Sequence, residues 1–174
     1  MIEPIGPSHD LAHFNCGKPA LNDWLIRRAL FNHREGFTSV QVAHVEKQVI
    51  GYYGLSPTSV LPKVFPRSIR TGQPPNLIPC LLLGRLAIDL KFIGQGLGST
   101  LLLHALKAAV SASAFVGGRA VIVHALDDDA LSYWRGRGFT STADDSHTLF
   151  MSMVAVKATI LHFSQPDDQE TQLS

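Results

Sequence analysis

The sequence predicts an α/β fold, a central sheet covered by helices, and three features carry that prediction. Two segments, "CLLLGRLAID" from Cys80 and "RAVIVHAL" from Arg119, are almost continuously apolar over strand length, as expected of strands covered on both faces. Between them "GLGSTLLLHALKAAVSASA" has the length and composition of a helix and opens on a glycine-rich turn. Ahead of them, apolar residues alternate on either side of Glu46-Lys47, the pattern of a hairpin.

Taken in order, "PALNDWLIRRALFNHREG" spaces Leu21, Trp24, Leu25 and Ala29 at helical intervals and stops near Gly36. Val40, Val42 and Val45 alternate with polar residues, the chain turns at Glu46-Lys47, and the pattern resumes from Val49 to Val60. "PKVFPRSIRTGQPPNLIP" reads as a long surface loop. The two apolar strands follow with their intervening helix. "DDDALSYWRGR" is then a short helix and "HTLFMSMV" a final strand. The order is α, β-hairpin, β, α, β, α, β, without an internal repeat.

A chain of 174 residues, 45% hydrophobic and 17% charged, fits one core, so residues 1–163 read as a single domain. The remainder, "SQPDDQETQLS" over 164–174, reads as a disordered polar tail. It contains Asp167, Asp168 and Glu170 and no base, so the formal +1 of the whole chain leaves a body of net +4. Such an excess is compatible with a nucleic-acid partner and equally with a mixed, solvated surface. Cys16 and Cys80 lie far apart with no CxxC, and the chain does not open like a secretory leader, which points to a reducing cytoplasm. No apolar run is read as a membrane span of about 20 residues.

Candidate chemistry starts at "AIDLKFIGQGLGSTLL". A strand, a turn with glycines at 94, 96 and 98, and a helix start would leave unpaired backbone N–H groups open to a phosphate. Steric demands of a tight turn explain one or two of those glycines without any ligand. The turn is neither a P-loop, since Ser99-Thr100 follow Gly98 where Lys is required, nor a Rossmann turn, since Ser99 stands where Gly is required.

The stretch Gly94-Gln95-Gly96-Leu97-Gly98 resembles the coenzyme A diphosphate motif, R/Q-x-x-G-x-G/A, of the GNAT (Gcn5-related N-acetyltransferase) family. Asp127 to Phe139, "DDDALSYWRGRGF", resembles that family's second signature, N-x-x-A-x-x-F-Y-x-x-x-G-F. "FNCGKPALNDWL", "GYYGLSPTSVLP" and "LLLGRLAID" further resemble its toxin branch, so the likeness spans roughly residues 1 to 155.

The resemblance implies a mixed central sheet with splayed parallel strands at 81–89 and 119–126, and acetyl-CoA as cosubstrate. The pantetheine arm would run along Leu86, Ala87 and Ile88, the diphosphate would sit at Gln95, Gly96, Leu97, Gly98 and Ser99, and Ala130 would complete the cofactor site. It implies an N-acetyltransferase toxin that modifies the amino group of aminoacyl-tRNA and blocks translation. Its implied partners are a ribbon-helix-helix antitoxin, operator DNA through that antitoxin, and a second copy in a homodimer. Acetylation of a small amine or a protein N-terminus, or a weakly catalytic acyl-CoA-binding module, are the alternatives. By the same resemblance Arg85 faces the acceptor substrate, unless it forms a structural ion pair, and Lys18, Arg27 and Arg28 border the acceptor groove, unless they are a solvated helix face.

Two positions depart from the family pattern. Ile93 stands where the first motif has Arg or Gln. Trp134 stands where the second motif has Tyr, and Tyr133 where it has Phe. Tyr133 and Trp134 are therefore the catalytic candidates. A phenol titrates near about 10, whereas an indole N–H only donates a hydrogen bond. Either Tyr133 protonates the leaving thiolate from a rotated helix, or water does, or the protein is a slow or inactive relative. His9, His13 and Cys16 lack a fourth ligand, so no metal is assigned, and His104 and His124 read as core histidines.

Overall fold

The computed structural model describes residues 1–164; the tail expected beyond them lies outside the described residues. In chain order the elements are β1 (Ile2–Pro4), α1 (Pro19–Trp24), a π-helical turn (Leu25–Ala29), α2 (Leu30–Arg34), β2 (Ser39–Val45), β3 (Gln48–Val60), α3 (Arg67–Arg70) and β4 (Ile78–Ile88). There follow α4 (Leu97–Val116), β5 (Ala120–His124), α5 (Asp128–Gly136), β6 (Thr140–Ser141), β7 (Thr148–Ser152) and α6 (Met153–Ser164). The strands form one seven-stranded sheet in the order β1-β2-β3-β4-β5-β7-β6.

The hairpin forms where expected, and Glu46 (φ 49°) and Lys47 (φ 70°) both adopt left-handed backbone. Two successive positive φ values make the turn that matches the twist of paired strands, here without a glycine. β3 pairs antiparallel with β4, but Gly54 faces Arg85 while Leu55 faces Leu83, which leaves Gly84 as the extra residue of a bulge. A bulge bends its strand. β4 and β5 run parallel and are paired at Leu81–Val121 and Leu82–Ile122. Past the bulge the two strands separate, as the expected splay requires.

α4 covers the sheet with Leu101, Leu102, Ala105, Leu106 and Ala109. It lies so close to β3 that a Cβ at Gly51 would come within 2.7 Å of Leu101 Cδ1. At 20 residues this helix is long and apolar enough, by length and composition alone, to match a membrane span. Its apolar stripe belongs to the core instead.

β1, β6 and α6 were not expected. β1 and β6 are too short to show alternation. α6 follows β7 with no glycine or proline between, and its start is marked by Ser152 Oγ, which accepts from the Ala155 N–H at 3.2 Å. The first helix is interrupted by its π turn, which buries Leu25 and Ala29. The proline-rich loop contains α3, anchored by buried Ile69.

β1 is tied down by charge. Glu3 Oε1 accepts from Lys47 Nζ at 2.8 Å and His9 Nε2 at 3.0 Å, and His44 Nε2 stands 2.9 Å away. Gly6 N–H donates to His9 Nδ1, so the His9 imidazole directs Nε2–H at the carboxylate; Lys47 N–H donates to His44 Nδ1, but His44 Nε2 is buried and, for all its proximity to Glu3, makes no hydrogen bond among the described residues. The Lys47 hydrogen bond, then that of His9, holds the Glu3 carboxyl down at about 2, from an ordinary 4.5. A depressed carboxyl contributes stability above its unfolded value and loses it as pH falls through the folded one. Melting temperature should therefore drop faster for native protein than for Glu3→Gln between pH 4.5 and about 2. Parallel curves for the two proteins would show that the latch contributes nothing.

Candidate active site

The separation of β4 from β5 opens a cleft of about 520 Å³. Leu86, Ala87 and Ile88 form one wall, with their β5-side backbone edge outside the β4–β5 ladder. Ala130, Tyr133, Trp134 and Arg137 of the α5 region form the other. The glycine turn closes one end through Gly94, Gly96, Gly98 and Ser99. Of the expected cofactor residues, Gln95 and Leu97 are absent from the lining. Gln95 is exposed and its amide donates to the Lys91 carbonyl at 3.2 Å, while Leu97 packs on the core.

Gly94 (φ 81°) and Gly96 (φ 78°) both need the left-handed conformation that glycine adopts without strain. Gly96 caps α4 with no side-chain hydrogen bond, and the helix ladder begins with Thr100 N–H donating to the Gly96 carbonyl at 3.1 Å. The preceding N–H groups of Leu97, Gly98 and Ser99 have no place in that ladder. They and the positive end of a 20-residue helix suit an anion.

α5 starts at Asp127, whose Oδ1 accepts from Ala130 N–H at 2.9 Å. Its other oxygen takes the Lys18 ammonium, and that hydrogen bond pulls the carboxyl down and the ammonium up. Lys18 thus comes to the cleft rim by joining the start of α1 to the start of α5. Buried Asp89 fixes the same N-terminal segment to the end of β4, accepting from Asn15 N–H at 3.0 Å and Lys91 N–H at 2.9 Å. That is how Cys16 also reaches the cleft. Its thiol donates to Asn22 Oδ1 at 3.1 Å, and burial pushes it up, away from the nucleophilic thiolate.

The two aromatic neighbours diverge. Trp134 is 6% exposed, its ring edge-on to Tyr133 and Phe139 at 5.1 Å each. The Tyr133 hydroxyl is buried with no hydrogen-bond partner among the described residues. A Cβ built at Gly98 would lie 4.0 Å from that hydroxyl and 3.8 Å from Ile88, so the phenol stands at the glycine-turn end of the cleft. Burial pushes its pKa up, and Arg137 offsets part of the shift.

The remaining candidates distribute as follows. Arg85 has no carboxylate partner among the described residues; its guanidinium lies 4.2 Å over the Trp24 ring, which stacks on Tyr52 at 5.9 Å. It faces α1 and is not part of the cleft lining. Arg27 and Arg28 are exposed on the π turn. His9, His13 and Cys16 do not meet: His9 joins Glu3 and His44, His13 is exposed, and Cys16 lines the cleft. His104 is satisfied by the Tyr53 hydroxyl at 2.8 Å. His124, expected in the core, is exposed and bonds Thr148 Oγ1 at 3.1 Å, because it ends β5 where the sheet meets solvent. Asp89 and Arg137 were missed, and Cys16 was weighed only as a metal ligand, because the contacts that place them join segments far apart in sequence.

No family model matches the chain. A tRNA-acetylating toxin of Mycobacterium tuberculosis is 36% identical over 156 residues, 90% of this chain and 93% of the relative. The crystal structure of a tyrosine-to-phenylalanine mutant of KacT superposes with a TM-score of 0.84 at 29% identity, covering 91% of this chain and 97% of the other. AtaT complexed with acetyl-methionyl-tRNAfMet gives 0.82 at 32% identity over 94% and 99%. Other AtaT structures hold the C-terminus of the antitoxin AtaR with acetyl-CoA, and AtaR with DNA.

Proposed function

The chain belongs to the GNAT-type tRNA-acetylating toxins, and from that premise we propose that it transfers the acetyl group of acetyl-CoA to the amino group of an aminoacyl-tRNA. The observation that carries this reading is the cleft itself: an open β4 edge leads to an uncapped helix start. Leu86, Ala87 and Ile88 offer the pantetheine arm a strand to pair with. The N–H groups around Gly96, Gly98 and Ser99 receive the diphosphate, and Ala130 leaves room for the arm to pass.

The chemistry makes modest demands on side chains. An α-amino group titrates near 7.7–8.0, so a useful fraction is neutral at physiological pH without a dedicated base. Holding that amine against the thioester carbonyl contributes up to about 7–11 kcal/mol towards the barrier. The amine nitrogen bonds to the carbonyl carbon and gives up a proton to water, the carbon–sulfur bond breaks, and the thiolate takes a proton. Trp134 occupies the family's tyrosine position with a group that does not release one, and Tyr133 sits nearer the glycine turn. Water therefore protonates the thiolate, and the enzyme is slower than relatives that retain the tyrosine.

Arg27 and Arg28, exposed and without carboxylate partners among the described residues, contact the RNA backbone, with Lys18 at the cleft rim. Arg85 supports that surface from beneath Trp24. The protein acts in the cytoplasm, where charged tRNA is, as a homodimer held silent by a ribbon-helix-helix antitoxin through which it meets operator DNA.

Inducible expression should arrest growth and yield tRNA with acetylated aminoacyl ends, detected by mass spectrometry. Binding to tRNA should weaken as salt rises. Normal growth, with acetylation of polyamines or peptides in its place, would overturn the tRNA reading.

A further inference from the structure

Ile93 leaves the glycine turn without the polar side chain that usually opens the motif; it is 61% exposed at the cleft mouth. A cation reaches the same cleft from another element. Arg137, at the C-terminal end of α5, donates from Nη1 to Ser99 Oγ at 2.8 Å, in the first turn of α4. Its guanidinium also lies 4.9 Å from the Tyr133 ring centre, and among the described residues it pairs with no carboxylate. Beside it is the Tyr133 hydroxyl, buried, unpartnered and close to Gly98. A buried hydroxyl with no acceptor is unfavourable unless something supplies one. An unpaired guanidinium, a hydroxyl lacking an acceptor and free helix-start N–H groups thus share one end of one cleft.

We propose that Arg137 and Tyr133 form a phosphate clamp for coenzyme A, in which Arg137 supplies from α5 the charge that Ile93 withholds and Tyr133 donates its hydroxyl to a phosphate oxygen. Ser99 holds the guanidinium ready. The proposal rests on the reading of the cleft as an acetyl-CoA site and assigns Tyr133 to binding the cofactor's phosphates. The long pantetheine arm separates those phosphates from the sulfur, so one hydroxyl does not serve both.

The test is calorimetric titration with coenzyme A and with pantetheine, which lacks the diphosphate. Arg137→Gln should weaken coenzyme A at least about 10-fold, as expected for a charge-assisted hydrogen bond, with a shallower salt dependence. Tyr133→Phe should weaken it by a smaller factor, read in the same titration. Pantetheine binding should not respond to either change. Ile93→Arg placed on Arg137→Gln should recover most of the affinity, which a merely structural role for Arg137 would not allow. If native protein binds coenzyme A and Arg137→Gln binds it equally, or if Ile93→Arg rescues nothing, the clamp is wrong and the cofactor reading stands. If native protein binds no coenzyme A, the cofactor reading falls and the clamp with it.

Discussion

Calorimetry should detect no acetyl-CoA binding by Gly96→Asp protein at ligand concentrations that saturate the native chain. The substitution acts at the cap of α4, where the backbone is left-handed and a side chain would meet open space. A Cβ residue there is disfavoured by roughly 1–2 kcal/mol, least for Asn and Asp. Asp is also a favoured helix cap, so the fold should survive. Its carboxylate, however, would accept from the N–H groups that the diphosphate needs, and would repel the diphosphate directly. Two like charges about 4 Å apart at an effective dielectric near 20 repel by about 4 kcal/mol, close to a thousandfold in affinity. Gly96→Asn separates the causes, since it keeps the shape and the backbone demand without the charge and should retain weakened binding. Undiminished binding by the Asp variant would mean that the diphosphate lies elsewhere, and the acetyltransferase reading of the cleft would fail.

What the sequence disclosed about this site follows from how locally each feature is encoded. The hairpin was legible because Val40, Val42 and Val45 alternate and a turn separates them from the next run. The glycine turn was legible because backbone conformation selects glycine whatever surrounds it. The bulge at Gly84 was not. "LLLGRLAID" is one apolar run, and only the register of β3, with Gly54 against Arg85 and Leu55 against Leu83, shows that a residue has been inserted. The cleft depends on that insertion.

Arg85 and Arg137 show the same limit for side chains. Arg85 looked anomalous because a charge in an apolar strand must be paired or must line a cavity, but its partner is the face of Trp24, reached across the sheet. Arg137 looked ordinary among the polar residues closing α5. Its position beside Ser99 arises because α5 packs against the start of α4, a contact between residues 38 apart in sequence. α6 escaped notice for the opposite reason: strand and helix meet at Ser152-Met153 with no break in apolar composition, and one serine is the whole signal.

Trp134→Tyr should raise the rate of acetyl transfer by about 10²-fold, the lower end of what general acid catalysis contributes. Trp134 occupies the motif position where the family has tyrosine, is 6% exposed, and lines the cleft. Its indole can donate a hydrogen bond to a developing thiolate but does not release the proton, whereas a phenol can do both. A thiol titrates near 8.5, so the thiolate is a tolerable leaving group without an acid, and the native enzyme should be slow rather than dead. Replacing indole by phenol also removes volume between Tyr133 and Phe139, which destabilises the core whether or not the hydroxyl is useful. Trp134→Phe makes nearly the same truncation without a hydroxyl, so the ratio of the two variants isolates the oxygen. Single-turnover transfer to charged tRNA at saturating acetyl-CoA is the measurement, because it removes any effect on cofactor affinity and on product release. Under the same conditions Tyr133→Phe should match the native rate. A Trp134→Tyr rate equal to that of Trp134→Phe would mean that no hydroxyl at this position reaches the sulfur. A loss of about 10²-fold for Tyr133→Phe would return the proton to Tyr133, and the clamp would have to do without it.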